Sequence, residues 1–115
     1  MPTIIYKLCE TALWREAERA GVFHGTRSER RDGFIHLSTA SQARETAAKH
    51  FAAVADLTLV AVDADALIAL LKWEISRGGD WFPHLYDPLP LAAVVWAKPL
   101  RLGDDQRHSF PELAP

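Results

Sequence analysis

The sequence predicts an α+β domain around a mixed sheet, and three observations carry that prediction. Apolar stretches rich in β-formers fall at residues 4–8, 34–38, 57–62 and 92–98. Between them lie segments with apolar residues at helical spacing and capping residues in front. Strand and helix therefore alternate along the chain, with no repeat, low-complexity tract or internal linker, as in one layered domain.

Ile4 to Leu8 is the first expected strand. Thr11 is expected to cap a helix from Ala12 to Ala20 with Leu13, Ala17 and Ala20 on its apolar face, and Gly21 ends it. Residues 22–32 are polar and turn-like, and read as the longest loop, a candidate rim or lid. The 34–38 strand places Phe34, His36 and Ser38 on one face and Ile35 and Leu37 on the other, because side chains alternate. Thr39 with Gln42 matches a capping box for a helix from Ala40 to about Val54, with Ala43, Ala47, Phe51 and Val54 facing the core. Leu57 to Val62 reads as a buried strand, and Asp63 or Asp65 caps a short helix through Leu70. Leu71, Trp73 and Ile75 then alternate with Lys72, Glu74 and Ser76, the pattern of a half-buried strand. Gly78-Gly79 turns the chain, Phe82 to Tyr86 reads as a stiff loop, Ala92 to Lys98 as the last strand, and the tail beyond Pro99 as irregular.

The chain has 115 residues, the length of a single domain, here 1–115. Nearly half of it is hydrophobic and the net charge is -2, so nothing drives it generally toward nucleic acid or a membrane surface. The basic run Arg27, Arg30, Arg31 is broken by Glu29 and Asp32 and reads as a solvated loop. A lone cysteine, Cys9, excludes an internal disulfide and a cysteine-rich zinc site, and its apolar setting makes it a small buried hydrophobe. No charged start followed by a long apolar stretch marks a signal peptide, and no apolar run has membrane-spanning length. The expected location is cytoplasmic.

Polar groups on otherwise apolar strands are where chemistry is sought: Lys7, His36, Ser38, Glu74, His84 and Tyr86. Buried charges such as Lys7 and Glu74 are costly unless paired, so the simplest reading turns both to solvent. His36 and His84 are either satisfied core residues or ligand-facing imidazoles, and sequence leaves both open. The Ser38/Thr39 helix start offers backbone N–H groups and a positive dipole end to an anion, or simply caps the helix. Phe82-Pro83-His84-Leu85-Tyr86 is either a pocket wall or a packed crossover loop. His24, His50 and His108 read as solvated. His36-Leu37-Ser38 supplies one His-x-Ser/Thr pair but His84-Leu85-Tyr86 is not a second, and a His-Glu-x-x-His helix and a glycine-rich phosphate loop are missing, which weakens two-histidine phosphoesterase, zinc-hydrolase and P-loop readings.

Asp32-Gly33-Phe34-Ile35-His36-Leu37-Ser38-Thr39-Ala40 with Gln42, then Trp73-Glu74, then Phe82-Pro83-His84-Leu85-Tyr86 with Pro88-Leu89 resembles the bacterial family catalogued as domain of unknown function 952. Ile5-Tyr6-Lys7 and Trp14 fit as well, whereas Asp87 stands where that pattern expects glycine. The resemblance runs from the first strand to about Leu100. It implies a compact relative of the ADP-ribosyltransferase fold, with a mixed, split β-sheet and two to three helices cradling a nucleotide-like ligand. NAD is the cofactor it suggests, in an ADP-ribosyl or phosphotransferase-type reaction. Such chemistry stacks nicotinamide on aromatics, here Tyr6, Phe34, Phe82 or Tyr86, and stabilises positive charge as the glycosidic bond breaks. The expected catalytic residues are His36, Glu74 and His84, with Lys7, Ser38, Thr39, Phe82 and Tyr86 binding the ligand. Lys7 falls where active relatives carry His or Arg, which supports the alternative of a non-catalytic binding module.

Overall fold

The computed structural model describes residues 3–114. Its elements are β1 (Ile4–Glu10), α1 (Thr11–Ala20), β2 (Val22–Phe23), α2 (Arg27–Asp32), β3 (Ile35–His36), α3 (Ala40–His50) and β4 (Leu57–Asp63). Then follow β5 (Leu71–Ile75), β6 (Trp81–Leu85), β7 (Leu89–Pro90), β8 (Val94–Leu102) and β9 (His108–Ser109). The strands form sheets in the orders β1-β4-β8-β9, β3-β6-β5 and β2-β7.

The α+β class holds, but the sheets are antiparallel rather than mixed, among the described residues. Alternating strands and helices suggest parallel crossovers. Here each helix instead carries the chain out of one sheet and into another, so none returns it to a parallel neighbour.

Within the four-stranded sheet β1 and β4 are buried on both faces, which explains their unbroken apolar runs. Ile5, Cys9, Val60 and Val62 point to one core, shared with Trp14 and Ala17 of α1 and with Ile35, Leu37 and Leu85. Tyr6, Leu8, Leu57, Leu59 and Ala61 point to a second core beneath Ala43 and Ala47 of α3. Lys7 shares the Ile5/Cys9 face, so its stem enters the first core.

The two larger sheets meet at one point. Tyr6 N–H donates to Ser38 O at 2.7 Å and Ser38 N–H donates to Tyr6 O at 2.8 Å. On its other edge the same segment joins β6, where Ile35 faces Leu85 and His36 faces His84. Leu37 N–H donates to Pro83 O at 3.0 Å. Antiparallel alternation then turns the backbone N–H and C=O of His36 away from β6, toward β1. At that level β1 and β3 diverge, and the sheet is split.

Several local expectations are corrected. Thr11 is the first residue of α1, and Glu10 takes the cap position without a side-chain hydrogen bond. Trp14, with Ala17, supplies the buried face of α1, whereas Ala20 is exposed. The expected loop at 22–32 contains β2 and α2, because Thr26 and Glu29 form a capping box. α3 stops at His50, and Phe51 and Val54 pack against the second core from beyond its end. The 3-10 turn Ala64–Leu67 replaces the short helix and is capped by Asp63, which accepts from Asp65 N–H. The expected 82–86 loop is largely β6, the central strand of its sheet. Pro83 is tolerated there because its carbonyl, and hence its missing N–H, faces the side where β3 has ended, leaving the pairing with β5 intact. The tail is ordered: β9 pairs with β8, Phe110 and Leu113 cover the second core, and His108 Nε2 lies 2.7 Å from Val54 O rather than in solvent.

Candidate functional site

Lys7 and Glu29 fill the split between β1 and β3. Their side chains are 6% and 3% exposed, and Lys7 Nζ lies 2.5 Å from Glu29 Oε2. The pair also grips the backbone that β6 leaves unpaired. His36 N–H donates to Glu29 Oε2 at 2.8 Å and Lys7 Nζ donates to His36 O at 3.1 Å. Glu29 Oε1 meanwhile accepts Thr26 N–H at 3.0 Å, closing the capping box of α2. Burial pushes the Glu29 carboxyl up, but Lys7 and the three hydrogen bonds outweigh it and hold it below its ordinary value. An ammonium has three N–H groups, so two are placed by these contacts. The expectation that Lys7 faces solvent is thus corrected: charge pairing makes its burial tolerable.

Beside this pair stand the two histidines. His36 and His84 face each other across β3 and β6, in the closely spaced type of antiparallel pair, and their rings meet edge to face at 5.2 Å. Phe34 covers them, with its ring 4.4 Å from that of His84 and 4.7 Å from that of His36. His84 is buried, and its Nδ1 lies 2.8 Å from Glu74 Oε1, which also accepts from Tyr86 Oη at 2.7 Å. An ionised carboxylate only accepts, so neutral His84 carries its proton on Nδ1 and leaves Nε2 as a base. The hydrogen bonds from Tyr86 and His84 lower the Glu74 carboxyl, and the bond to Glu74 raises the Tyr86 hydroxyl. Burial lowers His36 below the usual histidine value; Glu29 opposes this, while Lys7 and His84 add to it.

A cavity of about 650 Å³ lies here, lined by Lys7, Glu29, His36, Ser38, Phe82 and His84 and also by Thr26, Ser28, Thr46 and His50. Five of the expected site residues, Lys7, His36, Ser38, Phe82 and His84, therefore share one cavity. Glu74 and Tyr86 do not line it; they stand behind His84. Thr39 lies apart, at a hollow with Arg44 and Glu112. At the helix start expected to attract an anion, Thr39 N–H donates to Gln42 Oε1 at 3.0 Å and Ser38 Oγ pairs with Thr46 Oγ1, while Ala40 and Ser41 border the same hollow as Thr39. Cys9 is buried, and burial pushes its thiol up to about 11, so it is an inert packing residue.

Glu29 was missed by sequence reasoning. Its signal was the Thr26-x-x-Glu29 box, hidden within a stretch of alternating charges. His50, expected in solvent, lines the cavity instead, and Thr46 carries no sequence signal, because their contribution depends on how α3 packs.

Among the described residues, no helix is long and apolar enough to cross a membrane. No curated protein matches the chain. The crystal structure of protein CC0527 from Caulobacter crescentus is similar, with 48% identity and a TM-score of 0.89, covering 93% of this chain and 94% of that one. A crystal structure of a double mutant of the same protein matches with 47% identity and a TM-score of 0.88, over 93% of this chain and 94% of that one. Its solution NMR structure matches with 48% identity and a TM-score of 0.81, over 90% of each chain. The pattern of the family described as Protein of unknown function (DUF952) matches residues 8–97, and the chain belongs to that family.

Proposed function

We propose that the cavity at the sheet split binds a nucleotide-like ligand, with NAD the first candidate, and that the chain is a transferase of the ADP-ribosyl or phosphotransferase type. The observation that carries this reading is the pairing of His36 and His84 at 5.2 Å on the wall of a cavity of about 650 Å³ floored by a buried ammonium. The cavity wall is rich in donors: Lys7, Ser28, Ser38, Thr46 and His36. The carboxylate that lines it, Glu29, is already engaged by three donors. Such a wall favours phosphate and ribose oxygens over cations. Its volume lies in the range of small-molecule sites.

His36 and Ser38 orient ribose or phosphate in this reading, and Phe82 offers a stacking surface. His84 is the general base. It takes a proton from the acceptor hydroxyl as that oxygen bonds to the ribose carbon and neutral nicotinamide leaves with the electrons of the broken glycosidic bond. Glu74 is a positioning residue: it fixes the His84 tautomer instead of meeting the ribose charge itself. The resemblance to the ADP-ribosyltransferase fold supports NAD, and a sheet split around a cleft agrees with it.

Calorimetric titration with NAD, ADP-ribose and AMP, with chromatography for released nicotinamide, tests the reading. Binding and release that vanish in His84→Gln support it; absence of binding by all three compounds overturns it. One observation favours a non-catalytic binding module instead. Lys7, the first-strand residue, is committed to Glu29 and His36 O. Binding without nicotinamide release selects that alternative.

A further inference from the structure

The strand β5 closes one edge of its sheet, with β6 on its inner side and no strand on its outer side among the described residues. Lys72 faces His84 and Glu74 faces Phe82 across β6. The β6 residues Pro83 and Leu85 direct their backbone groups toward β3, so His84 and Phe82 direct theirs toward β5. The N–H and C=O groups of Leu71, Trp73 and Ile75 therefore point outward from the open edge.

The side chains at this edge break the expected pattern. Alternation holds, but its apolar face is covered only at Leu71, which packs against the first core: Trp73 is 42% exposed, Ile75 61%, and Trp81, opposite Ile75, 57%. The polar face, by contrast, packs on the site, with Glu74 holding His84 and Lys72 lying 4.8 Å from the Tyr86 ring centre. Exposed edges are ordinarily protected by prolines, bulges or unmatched charge. The segment Leu71-Lys72-Trp73-Glu74-Ile75 has no proline, and its one lysine has its own complement two residues on.

We infer that β5 is a self-association edge: a second copy of this chain pairs with it antiparallel, about a two-fold axis through Trp73. In that register Trp73 meets Trp73 of the second copy, Leu71 meets Ile75, and Lys72 meets Glu74. All the outward backbone groups of Leu71, Trp73 and Ile75 then fall in hydrogen-bonded pairs, since residues of one parity face one another. Lys72 and Glu74 fall in the closer, non-hydrogen-bonded pairs, where opposite charges help and like charges harm. A one-residue slip would lose both charge pairs and misalign the backbone groups, so charge and hydrogen bonding select one register. Three exposed apolar side chains per copy then form a continuous stripe across the joint. The occupant is a second copy because the edge is complementary to itself in charge and backbone together, as a two-fold interface requires. Glu74 uses Oε1 for His84 and Tyr86, so the partner subunit's Lys72 would approach a carboxylate that already positions the candidate base.

Sedimentation equilibrium on the whole chain between about 5 and 500 μM tests this, with circular dichroism on every variant as the check on folding. The native chain is expected to dimerise reversibly, more weakly at high salt because the charge pairs are exposed. Lys72→Glu and Glu74→Lys each set like charges face to face twice, and each is expected to weaken the dimer about tenfold or more. Mixing the two variants places opposite charges together again, and a mixed dimer of near-native strength is expected. Amide exchange at Leu71, Trp73 and Ile75 should slow on dimerisation. A native chain that stays monomeric to 500 μM, a dimer indifferent to both reversals, or failure of the mixture to recover association overturns the inference.

Discussion

Replacing Glu29 by alanine tests the logic of the split. The substitution leaves Lys7, whose side chain is 6% exposed, without its counter-ion, and leaves Thr26 N–H and His36 N–H without their acceptors. Removing one partner of a buried ion pair costs about 3–5 kcal/mol, because the surviving charge has neither water nor partner. A domain of this size has a total stability of about 6–17 kcal/mol at 0.05–0.15 kcal/mol per residue, so the loss is a large fraction. It corresponds to a fall in melting temperature of about 12–20 °C. Urea unfolding at pH 7 followed by tryptophan fluorescence measures it, with buried Trp14 among the reporters. Lys7→Met combined with Glu29→Ala should cost far less than the sum of the single changes, because the second substitution removes the stranded charge. The double mutant stays below the native chain, since His36 N–H and C=O remain unpaired. A loss under about 1 kcal/mol for Glu29→Ala, or additive single changes, would place the pair among ordinary surface bridges and refute the reasoning.

Because Glu29 titrates below its ordinary value, its contribution is complete above the unfolded carboxylate pKa and is lost as pH falls through the folded one. Glu29→Gln should therefore flatten the acid limb of stability against pH. His36 is expected to stay neutral to lower pH than an ordinary histidine, and His84→Ala should raise its titration midpoint in an NMR experiment by removing a neighbouring imidazole. Glu74→Gln should leave His84 less firmly oriented and reduce nicotinamide release more than NAD affinity, a split visible as lower kcat with little change in KM. Cys9 should react with a thiol reagent at the rate of unfolding, since its thiol is buried and raised to about 11; prompt reaction of the native chain would contradict its place in the core.

What was legible in sequence was local. The Thr39/Gln42 box, Gly21 behind the first helix, the apolar runs of β1 and β4, and the alternation of Phe34 to Ser38 all depend on neighbours a few residues apart. Their structural counterparts stand where the spacing puts them. The same kind of signal at Thr26/Glu29 went unread because dense charge around it resembled a solvated loop. The 82–86 segment misled for the opposite reason: Pro83 argues against a central strand, and only the place where β3 ends makes it harmless.

By itself, the sequence determined the α+β class, the apolar strands, and a short list of polar residues set among hydrophobic ones. Tertiary structure decided which of them meet. It brought Lys7 and Glu29 together across 22 positions, faced His36 with His84, moved Glu74 and Tyr86 behind the cavity wall, and set Thr39 apart. It also decided which face of β5 is covered, turning Trp73 and Ile75 outward although their alternation was plain in the sequence. The physical reason is common to all these cases. Periodicity fixes which side chains share a face, because that follows from backbone geometry alone. What covers the face, and which buried charge finds a partner there, depends on how distant segments pack, and burial is tolerable only where that packing supplies the partner.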